Sequence, residues 1–272
     1  MKIWHPNTDN LAGGPKTFMK YFDKYFANEL VSSVEDTDVI FGLNNWVPID
    51  ILKTKKVPYV HRCNGVYRPG LLNFPNWEER NAQLKPHYEL ADQVIFQSEF
   101  SKNSYFEFIG ETLDYKIIYN GVDTNKFPLL ENSRERIYMI GQVVNQQQKE
   151  REMMLSGIPL VYRPPRYNTY EEFVSIFSKC DLALDTCDTS SCPNLNLELM
   201  SSGIPVLSWE GSGGAELTID NLIVNNFNVE EKILQSRITP KKIRNYVQEH
   251  FNIMDKLKQY KRVMEYEIKK SN

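Results

Sequence analysis

Along this chain of 272 residues, apolar side chains fall into short dense runs, and between the runs they recur at helical spacing among polar residues. Runs such as Val39-Ile40-Phe41, Val94-Ile95-Phe96 and Leu182-Ala183-Leu184 read as strands covered on both faces. Strands are expected at residues 2–4, 38–42, 58–63, 93–98, 116–119, 137–141, 158–162, 181–185 and 204–209. Helices are expected at 17–30, 77–91, from Ser101 onward, at 146–155 and from Thr169 to about 179. Phe18, Phe22, Tyr25 and Phe26 share one side of the first of these. Thr169 and Glu172 have capping-box spacing. Asn194 is placed as an N-cap, and Gly203 as a left-handed helix stop. Thr239-Pro240 opens a further helix, and Val247, Phe251, Met254, Leu257 and Tyr260 mark an amphipathic end. Asn10 to Pro15 reads as a loop around Gly13-Gly14, and Asn64-Gly65 and Asn120-Gly121 read as tight turns after strands. Strands alternating with helices predict a doubly wound α/β architecture. The polar stretch at 130–136 is the expected linker between a first domain, 1–129, and a second, 130–250.

Composition narrows the classes. Lys and Arg total 32 against 35 Asp and Glu, a net charge of -3, so no basic field argues for nucleic acid. Charge also lends no support to a membrane surface, although an amphipathic patch leaves peripheral contact open. No apolar run reaches the ~20 residues that span a bilayer. The start, Met1-Lys2-Ile3-Trp4-His5-Pro6, lacks a secretory apolar region, so the four cysteines are expected as reduced thiols of a cytoplasmic protein. Cys187 and Cys192 are not at a usual zinc spacing, and no metal or cofactor is expected. No Gly-x-Gly-x-x-Gly follows the first strand, which argues against a dinucleotide-dependent dehydrogenase.

The chemistry concentrates in residues 192–216. A helix carrying Glu198 is followed by Ser202-Gly203-Ile204-Pro205-Val206, a buried run to Trp209, and Gly213-Gly214-Ala215-Glu216. Ile117-Ile118-Tyr119-Asn120-Gly121-Val122-Asp123-Thr124-Asn125-Lys126-Phe127 is a second patterned block. Both blocks resemble the nucleotide-sugar site and interdomain hinge of family 4 glycosyltransferases with the GT-B fold. Residues 91–101 resemble a late strand and helix of that family's first domain. The resemblance spans most of the chain, with both domains shortened and about one βαβ unit lacking between Gly141 and Ile158. It implies two Rossmann-like domains facing across a cleft, with a C-terminal helix, 251–272, packing back on the first. It implies transfer of a sugar from a UDP- or GDP-linked donor to a glycan or other hydroxyl acceptor, with retention and without a metal.

Residue by residue, the resemblance gives Glu198 the ribose hydroxyls. Gly213, Gly214 and Glu216 fall beside the donor sugar or diphosphate, with Asn194 at the helix start and Asn120 at the hinge. Gly13-Gly14 matches the family's N-terminal glycine loop, with Thr17 close to the helix start behind it. Three positions depart from the pattern. Gln142 stands where the family has a diphosphate-binding arginine, and Lys149 lies beyond its lysine position. Arg163 and Arg166 are the candidate substitutes, because arginine forks match phosphate. Ser190 stands where the first of two glutamates falls, with Asp185 or Asp188 as alternative acids. Asn64 takes the place of a histidine, and Arg62 beside it is a candidate catalytic cation. His61 faces the other way by strand alternation and reads as structural. Trp46, Tyr67, Phe74 and Trp77 read as core or as platforms for an acceptor glycan. Two rival readings stay open: a GT-B scaffold that binds a nucleotide sugar or a partner protein without turnover, and a nucleotide-sugar epimerase on the same fold.

Overall fold

The computed structural model describes residues 1–6, 9–11, 13–72, 74–130, 136–140, 145–158, 161–165, 167, 169–226, 228–235 and 238–271. Gln142, Arg166 and most of the 130–136 stretch lie outside the described residues. The chain divides into two compact units: residues 1–69, 74–120 and 253–272 form unit 1, and residues 70–73 and 121–252 form unit 2. The chain passes from one to the other at Asn120–Gly121 and returns at Asn252–Ile253.

Unit 1 runs β1 (Ile3–Trp4), α1 (Gly13–Tyr25), β2 (Val39–Leu43), α2 (Ile49–Thr54), β3 (Tyr59–Cys63), α3 (Trp77–Glu89), β4 (Gln93–Phe96), α4 (Glu99–Phe108) and β5 (Tyr115–Ile117). Its described strands form one parallel sheet in the order β1-β2-β3-β4-β5. Leu30 adds a parallel bridge on the free side of β1, with Ile3 N donating to the Glu29 carbonyl at 2.8 Å and Val31 N to Ile3 at 2.9 Å. The first crossover therefore runs outward, and the chain returns past β1 to β2. Right-handed crossovers then put α1 on one face and α2, α3 and α4 on the other. The packing agrees. Phe18, Phe22 and Phe26 meet Val39, Phe41 and Leu43, while Ile40 and Tyr59 meet Leu52 on the opposite face. The final helix, α10 as numbered below, returns to this unit and covers the α1 face with Leu257, Tyr260 and Met264.

Unit 2 runs β6 (Arg136–Ile140), α5 (Gln146–Leu155), β7 (Val161–Tyr162), α6 (Tyr170–Phe177), β8 (Cys180–Asp185), α7 (Asn194–Ser201), β9 (Val206–Trp209), β10 (Ile223–Val224), α8 (Val229–Gln235) and α9 (Pro240–His250); α10 is Ile253–Ser271. The described sheet is parallel in the order β10-β9-β8-β6-β7. Here too the first crossover runs outward, from β6 to β7, and the chain returns past β6 to β8. Residues 136–162 thus contain a βαβ unit.

Local chemistry explains most boundaries. Thr169 and Glu172 form the capping box that starts α6. Gly203 sits at φ +83° after α7, where a Cβ would lie 2.6 Å from Pro240 and 2.8 Å from Leu129. Arg244 of α9 donates to the carbonyls of Thr124 (2.7 Å), Phe127 (2.6 Å) and Ser201 (3.1 Å), tying the start of unit 2 to the end of α7. Three expectations shift. The first helix begins at Gly13, inside the expected loop, because Gly13 supplies a φ of +60° and Pro15 suits a first turn. It stops at Tyr25 so that Leu30 can reach β1. Pro193, not Asn194, holds the cap position of α7, and no side-chain cap bond is made there.

Candidate functional site

In a doubly wound sheet, ligands bind outside the carboxyl ends of strands where the winding reverses. In unit 2 that point lies between β6 and β8. β8 ends there in Asp185, 2% exposed, whose Oδ2 accepts from Asn196 Nδ2 at 2.7 Å and Oδ1 from Cys187 N at 3.1 Å. Burial pushes its carboxyl up to about 6, against the pull of these two bonds. The glycine loop closes over this pair. A Cβ on Gly214 would lie 2.6 Å from Asp185 Oδ2 and 3.0 Å from Asn196 Nδ2. One on Gly213 would land on the carbonyl oxygens of Ser190 and Ser191. Gly213 is needed because loop backbone touches loop backbone, and Gly214 because its side-chain direction points at the Asp185–Asn196 pair.

Glu198 lies two residues beyond Asn196 on α7, hence roughly 200° around the helix. It is half-buried, and among the described residues no side-chain hydrogen bond reaches its carboxylate. Burial alone pushes it up to about 7. Its neighbour is Tyr167, whose hydroxyl is raised by burial and by the Glu198 charge. Asp185 and Glu198 are therefore two separate acids on two sides of one short helix.

A third cluster joins α5 to the loop after β8. Asn145 caps α5 by accepting from Gln148 N at 2.7 Å and donates to Asp188 Oδ1 at 2.8 Å. Arg151 pairs with Asp188 Oδ2 at 2.9 Å and lies 5.0 Å over the Trp209 ring, with its Nε buried and unpartnered. Gln148 donates to Thr186 Oγ1 at 3.1 Å, and Thr186 donates to Glu152 at 2.9 Å. Glu152 is also ion-paired with Arg163. Arg163 is thus engaged by a carboxylate, and Lys149 is exposed on α5, one position off the face that carries Gln148 and Leu155. Gln148, Glu152 and Leu155 recur at helical spacing, the signal that marks this inward face, and Lys149 stands beside it. Glu216 lies in a short 3-10 turn, Ala215–Leu217. A groove of about 480 Å³ beside Thr239, Lys242, Tyr246 and Glu249 contains none of these groups.

Unit 1 gathers a different set at the carboxyl ends of its strands. Arg62, at the end of β3, is 1% exposed. Its Nε donates to Tyr260 Oη at 3.0 Å, one terminal nitrogen to Asn120 Oδ1 at 2.7 Å and the other to Asn64 Oδ1, while its guanidinium lies 4.0 Å over the Phe18 ring. Among the described residues no carboxylate pairs with it. Gln97 Nε2 donates to Asn64 Oδ1 and to the Cys63 carbonyl, each at 3.0 Å. His61 faces the other way, bonded to Tyr59 Oη at 2.5 Å and held by burial down at about 3. Gly13 is exposed at the start of α1, followed by the half-buried Gly14, and Thr17 bonds back to the Gly13 carbonyl at 3.3 Å. The aromatics are engaged: Tyr67 and Phe74 both hold Arg80, Trp77 meets Phe108 edge-on, and Trp46 packs on the α1 core.

Among the described residues no group of His, Cys, Asp and Glu is arranged to hold a metal ion, and no helix is long and apolar enough to cross a membrane. All four cysteines are buried thiols, none of them in a disulfide.

No protein-family model and no curated protein matches the chain. Solved structures do. HepE of Anabaena in complex with UDP and glucose is similar at a TM-score of 0.68 and 12% identity, over 97% of this chain and 99% of that one. The lipopolysaccharide outer core galactosyltransferase WaaB is similar at 0.67 and 11%, over 96% and 98%. Sucrose-phosphate synthase from Thermosynechococcus elongatus is similar at 0.63 and 14%, over 94% and 80%. With two parallel, identically wound Rossmann-like units and a C-terminal helix that returns to the first, the chain has the GT-B fold of nucleotide-sugar glycosyltransferases.

Proposed function

We propose that this chain is a glycosyltransferase that moves a hexosyl group from a UDP- or GDP-linked donor to a hydroxyl of a glycan, with retention and without a metal ion. The observation that carries the reading is Glu198. A carboxylate partly withdrawn from water without a side-chain hydrogen bond is unfavourable, and a pair of neighbouring hydroxyls donating to its two oxygens relieves it. A nucleotide ribose offers that pair, and the UDP complex of HepE supports the choice. In this reading Gly213, Gly214, Asn194 and Glu216 border the donor, and Ser190 offers a hydroxyl where the family resemblance places an acid. Arg163, ion-paired with Glu152 through one terminal nitrogen, has further donors to offer a phosphate. The developing positive charge of an oxocarbenium-like transition state is stabilised by the acids of this unit.

Thermal unfolding in the presence of UDP, GDP, ADP, dTDP and CMP tests the reading, since a ligand bound only by the folded state raises Tm. One base is expected to stand out, and Glu198→Ala is expected to weaken it about 10-fold or more. An unchanged Tm with every nucleotide would sink the donor-site reading. Binding without sugar transfer would leave a scaffold that holds a nucleotide sugar. NMR of the product's anomeric proton checks retention, and activity in a chelator checks independence of metal.

A further inference from the structure

We propose that the outer face of α1 and α10 in unit 1 is a docking surface for an anionic lipid bilayer, with lysine and arginine at the headgroups and exposed apolar side chains beside them. The chain's net charge of -3 conceals this face. The two helices hold nine of the 32 Lys and Arg but only four of the 35 Asp and Glu. They lie side by side: Phe18 meets Tyr260 with ring centroids 5.1 Å apart, and Lys261 pairs at 3.0 Å with Glu29, just past the end of α1. Their apolar sides are buried in one core, through Phe18, Met19 and Phe22 on α1 and Leu257, Tyr260 and Met264 on α10. Helical geometry then fixes what faces outward. On α1, Lys16, Lys20 and Lys24 recur every fourth residue along the side away from Phe18 and Phe22, and all three are exposed. On α10, Lys258, Arg262 and Lys269 fall within about 40° of one another, on the side away from Leu257 and Met264. These three are exposed as well.

Ion pairing separates this face from an ordinary solvated one. Its acids are already matched: Asp23 with His5 at 3.0 Å, Glu29 with Lys261, Asp255 with Lys258 at 2.7 Å and Glu267 with Lys270 at 3.6 Å. Among the described residues, Glu265 is the one acid of the two helices without an ion pair, and it is half-buried. Lys16, Lys20, Lys24, Arg262 and Lys269 pair with no acid among the described residues. Five cations therefore stand against one acid, and an anionic surface complements that surplus. The apolar groups choose lipid over another polyanion. Met254, 47% exposed, and Tyr266, 62% exposed, border the cation stripe of α10 on its two sides. Tyr21 and Tyr25 are half-buried on α1, where it joins the shared core. Long cations beside amphipathic tyrosines fit the headgroup boundary, where charged tips stay in water and rings reach the acyl region. The surface goes beyond the transferase reading and does not depend on it.

Cosedimentation of the full chain with lipid vesicles tests the assignment and needs no nucleotide. Binding is expected to phosphatidylcholine vesicles that contain phosphatidylglycerol, and not to phosphatidylcholine alone. It should weaken as salt rises. Lys20→Ala, Lys24→Ala and Arg262→Ala are each expected to weaken it about 5-fold, the effect of one cation near an anionic surface. The three together should cost about 100-fold. Lys241→Ala with Lys242→Ala, at exposed positions on α9 of unit 2, is expected to leave binding unchanged. Tyr266→Trp puts an indole at the bilayer boundary, and brominated lipid should quench it beyond the wild type's own tryptophans. A triple variant that binds like the wild type overturns the proposal, as does a wild type that ignores phosphatidylglycerol at low salt. A single-stranded oligonucleotide that binds equally well, with no extra quenching of the indole on vesicles, overturns the choice of lipid. All the substituted side chains are exposed, so the variants should fold, and circular dichroism checks this. If the triple variant does not fold, the single variants decide.

Discussion

Units 1 and 2 wind the same way and end their strands in opposite chemistry. In unit 1 the carboxyl edge carries a buried guanidinium among neutral amides and a phenol. In unit 2 it carries the acid Asp185, with a second acid, Glu198, on the helix that follows, raised to about 6 and about 7 by burial. Winding creates the crevice in each case, because neighbouring connections leave it in opposite directions. It does not choose the ligand. A donor-rich edge suits an acceptor oxygen, and an acidic edge suits hydroxyl donors. The fold therefore says where to look in each unit, and only the side chains say what chemistry is on offer there.

The most damaging change is expected at Gly213. Gly213→Ala drives a methyl onto two backbone carbonyls that cannot withdraw, at a cost of about 3–5 kcal/mol. Chemical denaturation checks the size, and hydrogen exchange should place the loss in unit 2. Arg62→Leu is next, removing the donor that Tyr260, Asn64 and Asn120 share, for a loss of about 2–3 kcal/mol. Its exchange signature belongs in unit 1, and a loss spread evenly over both units would break the comparison.

The pH response should separate the units further. Glu198 and Asp185 hold protons in the folded state that they release when unfolded, so unit 2 loses stability as pH rises from about 4.5 through 7. His61 stays neutral when folded, down to about 3, whereas the unfolded chain protonates it near 6.5. Unit 1 therefore loses stability as pH falls below about 6.5. Glu198→Gln should flatten the unit 2 response and raise stability at pH 8 by on the order of 2 kcal/mol, read from Tm at pH 5 and pH 8. A variant as pH-sensitive as the parent would show that Glu198 is not the titrating group. The smallest effect is expected at the capping box, where Thr169→Ala should cost about 1 kcal/mol without changing the pH profile.

Much of this was legible from local pattern. Val94-Ile95-Phe96 and Leu182-Ala183-Leu184 announced buried strands, Thr169 and Glu172 announced a helix start, and Gly203 announced a helix stop. Each is decided within a few residues by sterics or by one hydrogen bond. The outward-running crossovers were not legible, because Leu30 meets Ile3 in a bridge too short to leave a periodic signal. Lys149 was read toward the site from the family resemblance, and the fold adds that it is exposed on α5, one position off the face that carries Gln148. Glu198 was legible as an acid on a short helix. Its separation from the Asp185–Asn196 pair follows from two residues of helical rotation, and the role of Gly213 and Gly214 as contacts to Ser190, Ser191 and Asp185 required the folded loop.

The sequence by itself determined the alternation of strands and helices, the doubly wound class and the stretch around Glu198, since these rest on periodicity, capping and turn chemistry between near neighbours. Tertiary structure alone decided which polar groups meet. Arg62 finds Tyr260 across 198 residues of chain, Gln97 and Arg62 together set the direction of the Asn64 amide, and burial lifts Glu198 and Asp185 above ordinary carboxylates. Those outcomes depend on which surfaces exclude water and on which donors face which acceptors, and both arise only when distant segments pack.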